Sequence, residues 1–190
     1  MTAPTRVAGW GTGAFGSVVT WTVAEGQKGR RWREVVRQGA TALHALLLET
    51  DPDGRFAHLE LARADGLWTF HPERDRTLHG NHVGGATPDV RHVAGWAFGP
   101  DDVLVVDGSP LAMAAIAWRW ARTLAPGDVA PGAVGGVLLR SNGELVRVPE
   151  IRIERLSVKR WQVGEGSAFY VDPAGLPILL GGTVRPLEVE

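Results

Sequence analysis

The stretch from Ser109 to Ala125, SPLAMAAIAWRWARTLA, decides the fold. Ser109 suits the cap of a helix and Pro110 its first turn. Pro126-Gly127 stops it. Leu111, Met113, Ile116, Trp118, Trp120 and Leu124 point in several directions, so no clean polar face remains. Arg119 and Arg122, three apart, share the one polar edge. A helix apolar nearly all round must be buried on most sides. The rest of the chain reads as strands and turns. The sequence therefore predicts a mainly β protein: a long antiparallel sheet, a roll or half-barrel, around a single central α-helix at about 109–125.

Upstream of the helix, Val18–Ala24 is rich in β-branched residues and reads as a strand. Gly29 and Gln38-Gly39 bracket Arg30–Arg37 at hairpin spacing. Leu43–Thr50 follows, and Asp51-Pro52-Asp53-Gly54 makes a turn. In Arg55–Arg63, Ala57, Leu59 and Leu61 alternate with Phe56, His58 and Glu60. Leu67–His71, Thr77–Val83, Val90–Phe98 and Asp102–Val106 complete the approach to the helix. Downstream, Ser141-Asn142-Gly143 turns a hairpin of Val134–Arg140 and Glu144–Val148. Ile151–Leu156, Val158–Val163, Ala168–Val171 and Pro177–Leu180 follow. This regular spacing argues for antiparallel pairing throughout rather than βαβ units. Residues 1–16, rich in Gly, Ala and Thr, read as loosely held.

The chain of 190 residues fits one domain, 1–190, with a substantial core. Its net charge of −1 gives no basic field for nucleic acid or an anionic membrane. Cysteine is absent, which excludes disulfides and thiol catalysis and fits a cytoplasmic location. The first residues lack the pattern of a signal peptide, and no run is long enough to span a membrane. Lysine occurs only at Lys28 and Lys159, an arginine bias expected of a GC-rich bacterial genome. Eight tryptophans against one tyrosine fill a core or line a pocket for sugars and apolar ligands.

Several short motifs resemble a bacterial family of glycolipid-binding proteins of unknown function. Gly66-Leu67-Trp68 resembles its Gly-x-Trp, and Leu78-His79-Gly80 its Leu-x-Gly. Asp107-Gly108-Ser109-Pro110 resembles the acidic residue and Ser/Thr-Pro that open its helix, and Arg119 falls where an arginine pair closes that motif. Val171-Asp172-Pro173-Ala174-Gly175-Leu176 resembles its last hairpin, and Arg30-Arg31-Trp32-Arg33-Glu34-Val35 its Trp-x-x-Arg strand. The family's Asn and Pro inside the helix motif are replaced here by Leu111–Ala117. The resemblance implies an antiparallel sheet rolled round one helix, a homodimer and an acidic pocket.

The densest polar cluster runs from His71 to His92, with His79, His82, Glu73, Asp75, Asn81 and Asp89 between. Histidine ligates zinc, so His79, His82 and His92 form a weak metal alternative. Their spacing matches no zinc motif, and on a strand His79 and His82 face opposite ways. No cofactor is expected. His58 and Glu60 share a strand face and suit a polar anchor or a general base. Asp107 and Ser109 complement the helix dipole, with a ligand-acceptor role as the alternative. Arg119 and Arg122 need carboxylate partners, for which Glu34, Glu49, Glu60 and Glu154 are candidates. Gly11–Gly16 matches Gly-x-Gly-x-x-Gly in letters, but a β-branched run follows it. The serine-hydrolase elbow and the P-loop are missing.

The first functional expectation is a non-catalytic binder of a glycolipid or similar amphiphile. Its lining would be His58, Glu60, Trp68, His79, Asn81 and Arg119. The second is a metal-dependent or carboxylate-based hydrolase using the His71–His92 region. The third is a structural dimer, joined at an edge strand, with no small ligand.

Overall fold

The computed structural model describes residues 5–84, 89–132 and 134–186. Residues 85–88, inside the polar cluster, and residues 1–4 of the glycine-rich start lie outside that set. The chain forms two compact units: one of residues up to Phe98 together with the segment from Leu179, the other Gly99–Ile178.

The first unit is a nine-stranded antiparallel sheet. Its strands are β1 (Thr5–Thr12), β2 (Val18–Gly26), β3 (Gly29–Gln38), β4 (Thr41–Thr50), β5 (Phe56–Arg63), β6 (Gly66–Pro72), β7 (Thr77–Gly84) and β8 (Val90–Ala97). A last strand, which we number β15 (Leu180–Pro186), pairs with β1, so the order is β15-β1-β2-β3-β4-β5-β6-β7-β8. The sheet is open and does not close into a barrel. Alternation sets its faces as the sequence predicted: Leu59 and Leu61 are buried while Glu60 is exposed. The same buried face carries Trp21, Trp32, Leu46, Leu48, Phe70 and Leu78.

Two strands depart from expectation. Thr5–Thr12 is not loosely held; it pairs on both sides, with β2 and β15. The expected last strand, Pro177–Leu180, contributes only a bridge from Pro177 to Val171, and the strand proper starts at Leu180. Glycines, poor strand formers in general, mask both segments in the sequence. Gly9 is required, because a Cβ there would lie 2.3 Å from Cζ2 of Trp21.

The second unit holds β9 (Val103–Val106), α1 (Pro110–Trp120), β10 (Gly136–Leu139), β11 (Leu145–Val148), β12 (Ile153–Arg155), β13 (Arg160–Val163) and β14 (Phe169–Tyr170). They form two three-stranded sheets, β11-β10-β9 and β12-β13-β14. β9 and β10 pair in parallel across α1, a βαβ crossover. Antiparallel pairing throughout is therefore corrected: the one α-helix among the described residues is long enough to carry the chain back to the same end.

Ser109 caps α1, its side chain accepting from Ala112 N at 3.0 Å. Eight of its eleven residues are buried, as its apolar circumference demands. The helix ends at Trp120 rather than Ala125. Leu124 N still bonds Trp120 O at 2.9 Å, but Ala125 N turns to Asp128 Oδ2 at 2.7 Å and Leu124 O accepts from Arg155 Nη1 at 2.5 Å, which draws the chain out of the helix after that turn. No helix among the described residues is long and apolar enough to cross a membrane.

Candidate functional site

Register places four of the six expected lining residues on one face of the large sheet. Glu60 pairs with Thr69, Thr69 with Asn81, and Asn81 with His92; His71 pairs with His79. His58 and Glu60 hydrogen-bond at 3.2 Å and His71 and Glu73 at 3.0 Å. The rings of His71 and His79 lie 6.3 Å apart. Asn81 Oδ1 is buried without a hydrogen bond among the described residues. This face is a row of partly exposed imidazole–carboxylate pairs, each small in energy.

Trp68 and Arg119 lie elsewhere. Trp68 is on the buried face, stacked on His82 at 4.1 Å between ring centroids. Arg119 is on α1, in the second unit, paired with Asp101. The four glutamates expected as partners, Glu34, Glu49, Glu60 and Glu154, bond to His44, Arg31, His58 and Arg152 respectively. Arg122 lies over the ring of Trp118 at 4.5 Å.

His82 sits on the opposite face from His79 and His92, as the strand period requires. Its Nδ1 accepts from Arg91 Nη2 at 3.1 Å, which leaves the proton on Nε2, facing Asp65 O at 3.2 Å. Among the described residues no group of three His, Asp or Glu side chains is placed to hold a metal.

Asp75, in the turn before β7, is more acidic than an ordinary aspartate. The Thr77 hydroxyl donates to its Oδ1 at 2.6 Å and holds its carboxyl below the usual carboxylate range. A lowered folded value stabilises the native state above the ordinary carboxylate pKa, and that contribution is lost as pH falls through the folded value. Thr77→Val should move the Asp75 titration, followed by NMR, up toward the ordinary range, with the Thr77 backbone N–H still holding part of the shift.

The alternation of β3 also buries a residue that charge alone would place outside. Trp32, Glu34 and Val36 share a face, and Glu34 is 1% exposed. Its Oε1 bonds His44 Nε2 at 2.8 Å. The regular antiparallel register sets His44 opposite Val36, two residue pairs along from Glu34 and on the same face; the shift of register lies just beyond, between Val36 and Arg37.

The second unit contains a cavity of about 560 Å³. Its apolar wall includes Val105 and Val106 from β9, Met113 from α1, Leu138 from β10, Ile151 and Val163. Asp107, Glu150 and Glu165 supply carboxylates and Ser167 a hydroxyl. Asp107 Oδ2 accepts from Ser141 N at 3.3 Å, and Arg140 is bonded to Glu144 at 2.9 Å. Glu150 and Glu165 are exposed residues in separate connections, the first after β11 and the second after β13. Asp107 is the one of these acids that the sequence pointed to. The pocket offers acceptors at one side and hydrocarbon at the other, so it complements a ligand with a donor-rich head and an apolar body.

No family model matches the chain, and no curated protein matches it. Among solved structures it is similar to the crystal structure of a DUF1089 family protein from Pseudomonas aeruginosa. The two share 12% identity and a TM-score of 0.46, over 94% of this chain and 89% of the other.

Proposed function

We propose that the protein is a non-catalytic binder of a small amphiphile, glycolipid-like in having a hydroxyl-rich head and an apolar tail. The cavity of the second unit carries this reading. Its volume of about 560 Å³ lies within the range of small-molecule sites. Carboxylates accept hydrogen bonds from sugar hydroxyls, while valine, leucine and methionine side chains take hydrocarbon. A head bearing phosphate or sulfate would meet Glu150 and Glu165 and be repelled.

Octyl glucoside and octyl sulfate are suitable probes, followed by native mass spectrometry. One equivalent of the glucoside should bind and the sulfate should not. The paired substitution Glu150→Gln and Glu165→Gln should weaken glucoside binding about tenfold, the cost of replacing charged acceptors by neutral ones. Equal uptake of both probes, or an unchanged affinity in that variant, would sink the reading. Release of glucose by the purified protein would replace it with the hydrolase.

A further inference from the structure

We propose that the end of the large sheet formed by the β1–β2 and β3–β4 connections docks on an anionic membrane surface. Phe15 and Leu180 enter the interface, and Arg33, Arg37 and Arg185 meet lipid phosphates.

Four apolar side chains project at this end. Phe15 is 97% exposed, Leu180 81%, Val18 45% and Leu43 42%. They gather because Thr12 pairs with both Val18 and Leu180, and because Val18 pairs with Arg37 beside the β3–β4 turn. The tip is built rather than frayed. Gly13 N donates to Ser17 O at 2.8 Å, and the Ser17 hydroxyl donates to Ala14 O at 2.8 Å. Phe15 occupies the left-handed region, φ 54° and ψ 29°, which a bulky residue rarely adopts. A strained backbone that holds a phenyl ring in solvent points to use of that ring outside this chain.

Charge selects the occupant. Alternation puts Arg33 and Arg185 on the face that also carries Trp10, Thr20, Thr22 and Thr183, around a groove of about 500 Å³. Across β15, β1, β2 and β3 strand alternation puts no carboxylate side chain on that face among the described residues; Glu34 also borders the groove, but its carboxylate turns to the buried side, where it bonds His44. Among the described residues none forms an ion pair with Arg33, Arg37 or Arg185. The chain's net charge of −1 hides this local field. A second copy meeting the same face would bring arginine against arginine. A bilayer supplies what both parts of the surface need, phosphates over hydrocarbon, with Trp10 in the position of an interfacial aromatic. The inference is independent of the cavity in the second unit.

Vesicle sedimentation of the full chain tests it. Phosphatidylcholine vesicles with about 30% phosphatidylglycerol should bind the protein, and phosphatidylcholine alone should not. Raising salt from about 0.1 M to about 0.5 M should release it. Each arginine near such a surface is worth about fivefold in partition, so Arg33→Gln with Arg185→Gln should lose about twenty-fivefold. Phe15→Ser should also weaken binding while unfolding like the parent protein, because its side chain has no packing to lose. Equal sedimentation with both vesicle types would overturn the proposal. So would parental binding by Phe15→Ser, or a dimer seen by light scattering that Phe15→Ser dissolves.

Discussion

Trp118→Asp should abolish cooperative unfolding of the second unit. Trp118 is 8% exposed, on a helix buried nearly all round. Its ring lies against Gly175, where a Cβ would approach Cδ1 to 2.6 Å. Truncating a buried tryptophan costs about 3–5 kcal/mol, and an added carboxylate in that space raises the cost further. The sum is comparable to the whole stability of a typical domain, about 5–15 kcal/mol. Trp118→Phe should keep the transition at a lower temperature. Calorimetry with circular dichroism distinguishes the two, and a parental melting profile for Trp118→Asp would contradict the burial of α1.

The Glu34–His44 pair should behave differently from the exposed imidazole–carboxylate pairs. His44→Ala removes the 2.8 Å partner from a fully buried carboxylate, and losing one member of a buried pair costs about 3–5 kcal/mol. The double substitution Glu34→Leu with His44→Leu should recover most of that loss, because it removes both buried polar groups together and fills the space with hydrocarbon. His58→Ala, on the exposed face, should cost less than about 1 kcal/mol. Urea unfolding of the three variants provides the measurement. An equal loss from His44→Ala and His58→Ala would mean that burial does not govern the first pair.

Periodicity made most of the large sheet legible. Leu59 and Leu61 fall on the core side because a strand repeats every two residues. The same rule, applied to Trp32-Arg33-Glu34, would have marked Glu34 as buried. Its partner was not readable, since His44 is its diagonal neighbour across the sheet, and the register that brings them together is not written in either strand alone. The parallel pairing of β9 and β10 was also hidden. Both are four-residue strands, and their direction is set by the crossover through α1 and not by their own side chains. The cavity acids were legible only at Asp107, which belongs to the helix start. Glu150 and Glu165 come from connections, where nothing in local sequence says what the chain returns to. The expected lining is divided for a similar reason: Trp68 is one strand position out of phase with Thr69 and faces away from His58, Glu60, His79 and Asn81, while Arg119 stands on α1.

The pairing of β1 with β15 bears on synthesis. Thr5–Thr12 is made well before Leu180–Pro186 and finds its outer neighbour only when that segment emerges. Contacts between such distant segments form slowly. Throughout translation β1 is an open edge, glycine-rich and carrying Trp10, able to pair with another nascent chain. A holdase chaperone engaging this strand would protect it for that interval. Fusing the two termini and reopening the chain at the Asp51–Gly54 turn would place β15 and β1 in immediate succession and shorten it.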